Sequence, residues 1–241
     1  MFYFKINEVP LFIKGSNIVP LDYFPSRMFQ EQELKWLFES AQTSNLNLFR
    51  VWGGGMYMTD RFYEMADELG MLIWHDMMFS CKFYPMLKPE FIETSEIEVR
   101  EQAGRLQHFS SIIMWVLNNE GETMFYWRNT TKESQDKFTE QYDSFYIDRL
   151  VPIMKEAGIN IAENFADSSP TKGVESFDPY VKHRPKNPRD PRFGDEHYYF
   201  MDTDCENVTT HPVYRFLSES GFQSEASFLD YKNVSLQQDW G

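Results

Sequence analysis

The chain has 241 residues, 42% of them hydrophobic and 17% aromatic, and a formal net charge of −14. Such length and apolar content exclude a disordered chain and suit one large domain, of the size an α/β barrel needs. The acidity argues against nucleic acid and anionic membrane surfaces as partners, and no run is apolar for long enough to span a membrane.

Strand-like and helix-like stretches alternate along the chain, the pattern of repeated βα units around a parallel sheet. The first stretch, 2–14, holds two extended runs around a turn at Asn7-Glu8, and the second leads into Gly15-Ser16-Asn17. A helix is predicted over 29–44, with Leu34, Leu37, Phe38 and Ala41 on one face. Residues 46–52 read as a strand ending in Gly53-Gly54-Gly55, and Asp60 can open a helix that Gly70 closes. The next strand is 71–75, followed by Asp76; a charged helix over 90–107 then leads to the apolar run Ile112-Ile113-Met114-Trp115-Val116-Leu117. A long helix is predicted over 132–157, a strand over 160–166, a Pro-rich loop over 170–191, and last strands at 193–199 and 214–219. The count is seven strands of barrel type, one short of closure.

Two of these runs end in chemistry. The apolar run from Ile112 stops at Asn118-Asn119-Glu120, and Tyr214-Arg215-Phe216-Leu217-Ser218 stops at Glu219. A short apolar run bounded by polar residues reads as a buried parallel strand, and residues just past the carboxyl ends of such strands line one shared pocket. Two glutamates delivered there from different strands are the equipment of a glycoside hydrolase.

Other features carry less. Gly53-Gly54-Gly55 is followed by no Lys-Ser/Thr and fits no nucleotide motif. His75 and His197 fall at strand ends without metal-ligand spacing, so neither a metal nor another cofactor is expected. Cys81 and Cys205 also lack ligand spacing, and whether they pair is left open. The basic stretch 182–189 is broken by prolines and reads as a solvated loop, while Trp127 reads as packing near a helix. Sequons at Asn129, Asn207 and Asn233 lean toward a secretory or lysosomal route, although the N-terminus shows no basic n-region before an apolar core.

In order along the chain, Phe12-Ile13-Lys14-Gly15-Ser16-Asn17, Arg50-Val51-Trp52-Gly53-Gly54-Gly55, Ile73-Trp74-His75-Asp76, Asn118-Asn119-Glu120, Gly194-Asp195-Glu196-His197-Tyr198 and Ser218-Glu219-Ser220-Gly221-Phe222-Gln223-Ser224 resemble the barrel domain of family 2 glycoside hydrolases, and within them the β-mannosidases. The resemblance implies a TIM (β/α)8 barrel, here about seven of eight strands. It makes residues 1–241 a partial catalytic domain, with β-sandwich domains before it and the last of the barrel after it in the family. It implies a retaining exo-β-mannosidase that removes terminal β-mannose from oligosaccharides in glycoprotein catabolism, in animals in the lysosome.

By the same resemblance Glu120 is the general acid/base and Glu219 the nucleophile, while Asn119 contacts the sugar's 2-hydroxyl. Asp76, Trp52 and Tyr198 match positions that shape the mannose pocket. The chemistry of a retaining pair adds that the Glu219 charge, roughly 5 Å away, should keep Glu120 protonated, with Arg50 and His197 holding Glu219 ionised. The chain departs from the family at Ile18, where Trp is usual, at His75, where Gln is usual, at the bulkier Val116-Leu117, and at Ser220, where an apolar residue is usual. Another exo-β-glycosidase of the family and an inactive sugar-binding remnant remain alternative readings, and the oligomeric state is not legible.

Overall fold

The computed structural model describes residues 3–124, 131–184, 190–199, 204, 206–221 and 227–240. The chain opens with a two-stranded antiparallel hairpin, β1 (Phe4–Ile6) and β2 (Val9–Leu11). Asn7 and Glu8 between them take positive φ values of 50° and 67°. Two successive left-handed residues form the turn whose twist matches that of the flanking strands.

Then come β3 (Gly15–Ile18), a short helix α1 (Pro25–Met28), α2 (Glu31–Thr43), β4 (Leu48–Val51), α3 (Asp60–Leu69), β5 (Leu72–Asp76), α4 (Pro89–Leu106) and β6 (Ile112–Val116). α5 (Lys132–Tyr142) passes through a wider π turn at Asp143–Leu150 into α6 (Val151–Glu156), and β7 (Phe165–Ala166) follows. β8 (Val174–Phe177) and β9 (Tyr180–Lys182) pair as an antiparallel hairpin. β10 (Glu196–Tyr199) and β11 (Leu217–Gly221) pair in parallel, and α7 (Phe228–Val234) lies beyond them.

β3, β4, β5, β6 and β7 form one parallel sheet in that order. Its side chains alternate as a strand period of two requires. Leu48, Trp74, Met114, Val116 and Ala166 pack together on one face, with Phe4 and Phe216 against them. Phe49, Val51, Ile73, Trp115 and Phe165 face the helices and join the main core. In that core the rings of Phe38 (α2), Phe49 and Phe62 (α3) meet at 5.3 to 6.3 Å between centroids. Truncating the fully buried Phe38 to Ala would cost about 3–5 kcal/mol. Gly70 closes α3 in the left-handed conformation (φ 67°), its N–H reaching the Ala66 carbonyl, as its place in the sequence implies.

The architecture is α/β with a mostly parallel sheet, and seven strands run in parallel pairs. Among the described residues the ladders do not close into a barrel. β10 and β11 form their own sheet, joined to the five strands through side chains. Asn17 Nδ2 on β3 donates to the Ser218 carbonyl on β11 at 3.1 Å, and beyond β7 the Thr171 N–H donates to the Asp195 carboxylate at 2.6 Å.

Two predicted elements differ. The strand predicted over 160–166 is paired only at Phe165–Ala166, because Asn160 turns the preceding chain. Its carbonyl accepts from Glu163 and Asn164 and its side chain accepts from the Ala162 N–H, the local bonding by which Asn competes with a ladder. The loop predicted over 170–191 contains the β8–β9 hairpin.

Candidate active site

Arg50 on β4 is the hub. It is 2% exposed, and its neighbours consume all five of its N–H hydrogens. Nε and Nη2 grip Asp76 on β5 at 3.3 and 2.7 Å, and Nη2 also donates to Asn119 Oδ1 at 2.8 Å. Nη1 donates to Glu219 Oε1 at 2.7 Å and to Asn17 Oδ1 at 3.2 Å. Trp74 underlies the hub, its ring 5.8 Å from the guanidinium and its Nε1–H donating to Asp76 Oδ1 at 2.9 Å. Period-two alternation delivers Arg50 and Asp76 here, since Leu48 and Trp74 of the same strands floor the same face.

Glu219 on β11 has its second oxygen on Tyr199 Oη at 2.7 Å. His197, one turn of the pleat before Tyr199 on β10, puts Nδ1 2.8 Å from Glu120 Oε1 and 3.3 Å from Glu219 Oε2. One oxygen of each glutamate and a nitrogen of His197 all lie within 4.8 Å of one another. The other Glu120 oxygen accepts from the Cys81 thiol at 3.0 Å. Glu120 and Glu219 are each 8% exposed, so both keep a path to solvent.

The loop holding Glu120 is tied tightly. Glu120 takes φ +58° and Cys81 φ +45°, conformations that cost a residue other than glycine about 1 kcal/mol or more. Backbone bonds hold both in place, Glu120 N–H to the Ser169 carbonyl at 2.7 Å and Cys81 N–H to the Asn119 carbonyl at 3.1 Å. Asn118 closes the turn by accepting from the Gly121 N–H and the Ser168 hydroxyl. A Cβ on Gly121 would stand 2.5 Å from Asn118 Oδ1, so only glycine fits behind the acid.

Burial pushes the Glu120 carboxyl up to about 7; the Glu219 charge adds to this, while the Cys81 thiol and Arg50 oppose it. Burial also holds the His197 imidazole well below its ordinary value, with the Arg50 and Lys172 charges acting the same way. The ring is therefore neutral. The Cys81 thiol is pushed up to about 11 by burial, with Glu120 contributing. Burial works against the Arg50 charge, yet Asp76 and Glu219 outweigh it and raise the guanidinium further. The arrangement is one carboxylate bonded between Arg50 and Tyr199, facing a carboxylic acid that keeps its proton near neutrality. Glu120, His197 and Glu219 offer three ligand atoms that could hold a metal ion, and beside the Arg50 charge the two carboxyl groups suit acid–base and nucleophilic chemistry.

Of the residues singled out in the sequence, Arg50, Asp76, Asn119, Glu120, His197 and Glu219 come together. Tyr198 does not join them. Its ring packs on His211 and Tyr214 and its hydroxyl donates to the Thr210 carbonyl. Trp52 lies just past β4, half-buried, with its ring over Gly54. His75 faces the helices, between Tyr63, which meets its Nε2 at 2.7 Å, and the Trp115 ring. Tyr199 and Cys81 were missed, and Asn17 and Asn118 stood inside quoted motifs without a role of their own. Strand alternation from His197 would have found Tyr199, while nothing in the sequence marks Cys81. Trp127, Cys205 and the Phe222-Gln223-Ser224 end of the last motif lie outside the described residues.

No family model matches the chain. It is 40% identical over 242 residues to the beta-mannosidase of Bos taurus, across 99% of this chain and 27% of that protein. It is 35% identical over 241 residues to the probable beta-mannosidase of Caenorhabditis elegans, across 99% of this chain and 26% of that one. The crystal structure of a Beta-D-Mannosidase from Dictyoglomus thermophilum superposes with a TM-score of 0.74 at 28% identity, covering 99% of this chain and 27% of that one. The chain thus spans about a quarter of the length of the relatives it matches.

Proposed function

Because the chain belongs to the β-mannosidases of glycoside hydrolase family 2, we propose that it carries the catalytic groups of a retaining exo-β-mannosidase, on seven strands of a (β/α)8 barrel. The observation that carries the reading is the close approach of Glu120 and Glu219, whose oxygens lie within 4.8 Å together with the His197 nitrogen. Retaining pairs stand about 5–5.5 Å apart, while inverting pairs stand about 6.5–9.5 Å apart to admit a water.

Glu219 attacks the anomeric carbon as the glycosidic C–O bond breaks, and the leaving oxygen takes the proton of Glu120. Esterification removes the Glu219 charge, one of the causes that raise the Glu120 carboxyl. Glu120, now a carboxylate, takes a proton from water. The resulting oxygen nucleophile attacks the anomeric carbon and frees Glu219. Asn119, bonded through Oδ1 to Arg50 and through Nδ2 to Ser80 and Cys81, contacts the sugar's 2-hydroxyl in this reading, where contacts strengthen as the ring flattens. The substrate class is an oligosaccharide ending in β-D-mannose, and the setting is glycoprotein breakdown on a lysosomal or secretory route. Among the described residues no helix is long and apolar enough to cross a membrane.

The test is release of p-nitrophenol from the aryl β-mannoside at about pH 5, beside the β-glucoside and β-galactoside. Turnover of the mannoside alone, abolished in Glu219→Gln, supports the reading. Turnover mainly of another glycoside makes this a different exo-β-glycosidase, and a folded chain without turnover is a sugar-binding remnant.

A further inference from the structure

Behind His197 lies a chain of buried polar groups that the double displacement does not use. Asp195 and Ser169 are both fully buried. The Ser169 hydroxyl stands 2.6 Å from Asp195 Oδ2 and 3.1 Å from His197 Nε2. The Asp195 carboxylate also takes the Ser218 hydroxyl on the same oxygen and the Thr171 N–H on the other.

Counting hydrogens settles the direction of this chain. A serine hydroxyl has one hydrogen, and a carboxylate only accepts. At 2.6 Å two oxygens need a hydrogen between them, so the Ser169 hydrogen lies toward Asp195. The Ser169 oxygen then presents only lone pairs to His197 Nε2, and a favourable 3.1 Å contact requires the hydrogen on Nε2. Arg50 Nη1, 3.4 Å from Nε2, stands against this arrangement, but its two hydrogens already go to Glu219 and Asn17. A neutral imidazole with its hydrogen on Nε2 has a bare Nδ1. That nitrogen lies 2.8 Å from Glu120 Oε1 and 3.3 Å from Glu219 Oε2, and with Nδ1 bare the hydrogen in the shorter contact comes from the Glu120 carboxyl.

We propose that Asp195 and Ser169 are positioning residues that lock His197 in the Nε2–H tautomer, so that Nδ1 accepts the proton of the Glu120 carboxyl. Glu120 then has both oxygens matched, one donating to His197 and one accepting the Cys81 thiol. The groups facing Glu120 are Cys81 from the loop after β5, Glu219 from β11, Arg50 from β4 and His197 from β10. Only His197 has two neutral forms, one favouring the acid and the other the anion. The lock deepens the reading of Glu120 as the acid and rests on it for its catalytic meaning.

The first test is ¹⁵N NMR of the histidine rings in the full chain, with His197 assigned by loss of its signals in His197→Gln. Nε2 should resonate as a protonated nitrogen and Nδ1 as a bare one, and Ser169→Ala should erase that preference. A protonated Nδ1 in the unmutated chain, or an unchanged tautomer in Ser169→Ala, overturns the lock. The second test is the alkaline limb of kcat/KM against pH. Ser169→Ala should move it down by about one unit, a tenfold loss of proton affinity, while Ser169→Thr, which keeps the hydroxyl, leaves it in place. A limb that does not move in Ser169→Ala rejects the proposal. Absence of turnover would reject the glycosidase reading alone, because the ring tautomer is read without substrate.

Discussion

Arg50 and Lys182 each anchor a buried knot of charge, and the two knots meet within two residues of each other in sequence, at Glu120 and Glu122. The Lys182 ammonium contacts Glu122 at 2.6 Å and Asp167 at 2.8 Å. Arg184 contacts Glu122 at 2.8 Å and Asp143 at 3.0 Å. The hydroxyls of Tyr142 and Tyr180 cover the remaining faces of Asp167 at 2.6 and 2.9 Å. Burial works against the Asp167 charge, and Lys182 with the two tyrosines overcomes it, so the carboxyl stays below its ordinary value. This knot matches three carboxylates with two cations. The knot around Arg50 sets Asp76, Glu219 and Glu120 around one cation, and Glu120, the carboxylate without a cation in contact, is pushed up to about 7 by burial. Burial and ion pairing alone therefore do not mark a site. The missing counter-charge at Glu120 does.

The largest effects should come from removing the anchors. Arg50→Met leaves Asp76 and Glu219 buried without their cation, at about 3–5 kcal/mol of stability, and turnover should fall by at least about 10²-fold as the nucleophile loses its electrostatic support. Lys182→Met should cost a similar 3–5 kcal/mol in a urea titration, yet kcat of the folded protein should stay within about tenfold, since Lys182 touches neither reacting carboxylate. Equal losses of kcat in the two variants would break the distinction between the knots.

A pH titration should separate them next. Burial pushes the Glu120 carboxyl from its ordinary 4.5 up to about 7 in the fold. Below the lower value both folded and unfolded chains hold the proton. Between the two values the unfolded chain releases it while the folded chain keeps it, so stability falls as pH rises. The loss is about 3 kcal/mol, complete above about pH 7. Glu120→Gln cannot suffer it, so its urea midpoint should gain on that of the unmutated chain between pH 5 and pH 8. A constant difference across that range would mean that Glu120 is not held protonated.

How much of this the sequence carried depended on whether each signal was local. The helices at α2, α3 and α4 were legible because apolar spacing and the Gly70 cap are local. So were the two glutamates, each following an apolar run. The two-residue β7 was not, because Asn160 diverts the chain by bonds to its own backbone. The β8–β9 hairpin, held down by Lys182 and Arg184 through partners far away in sequence, left no periodic trace among its prolines. At the site, Arg50, Asp76 and His197 were legible through motif resemblance. Cys81 was not, because its contact with Glu120 follows from two left-handed loop residues meeting in space.

The smallest expected effect sharpens the last of these points. Resemblance pointed to Tyr198, whereas a strand shows alternate residues to opposite faces. His197 reaches Glu120, so Tyr199, two residues' worth of pleat beyond it, shares that face and bonds Glu219, while Tyr198 turns to His211 and Tyr214. Tyr199→Phe removes one hydrogen bond to a charged acceptor, worth about 1.5–3 kcal/mol. If that bond holds the nucleophile in place, kcat should fall by roughly 10- to 100-fold with little change in KM. Tyr198→Phe removes the hydroxyl that donates to the Thr210 carbonyl at 3.3 Å, away from both glutamates, and should leave kcat within about twofold. The reverse outcome would mean that β10 is out of register by one residue, and with it the contact between His197 and Glu120.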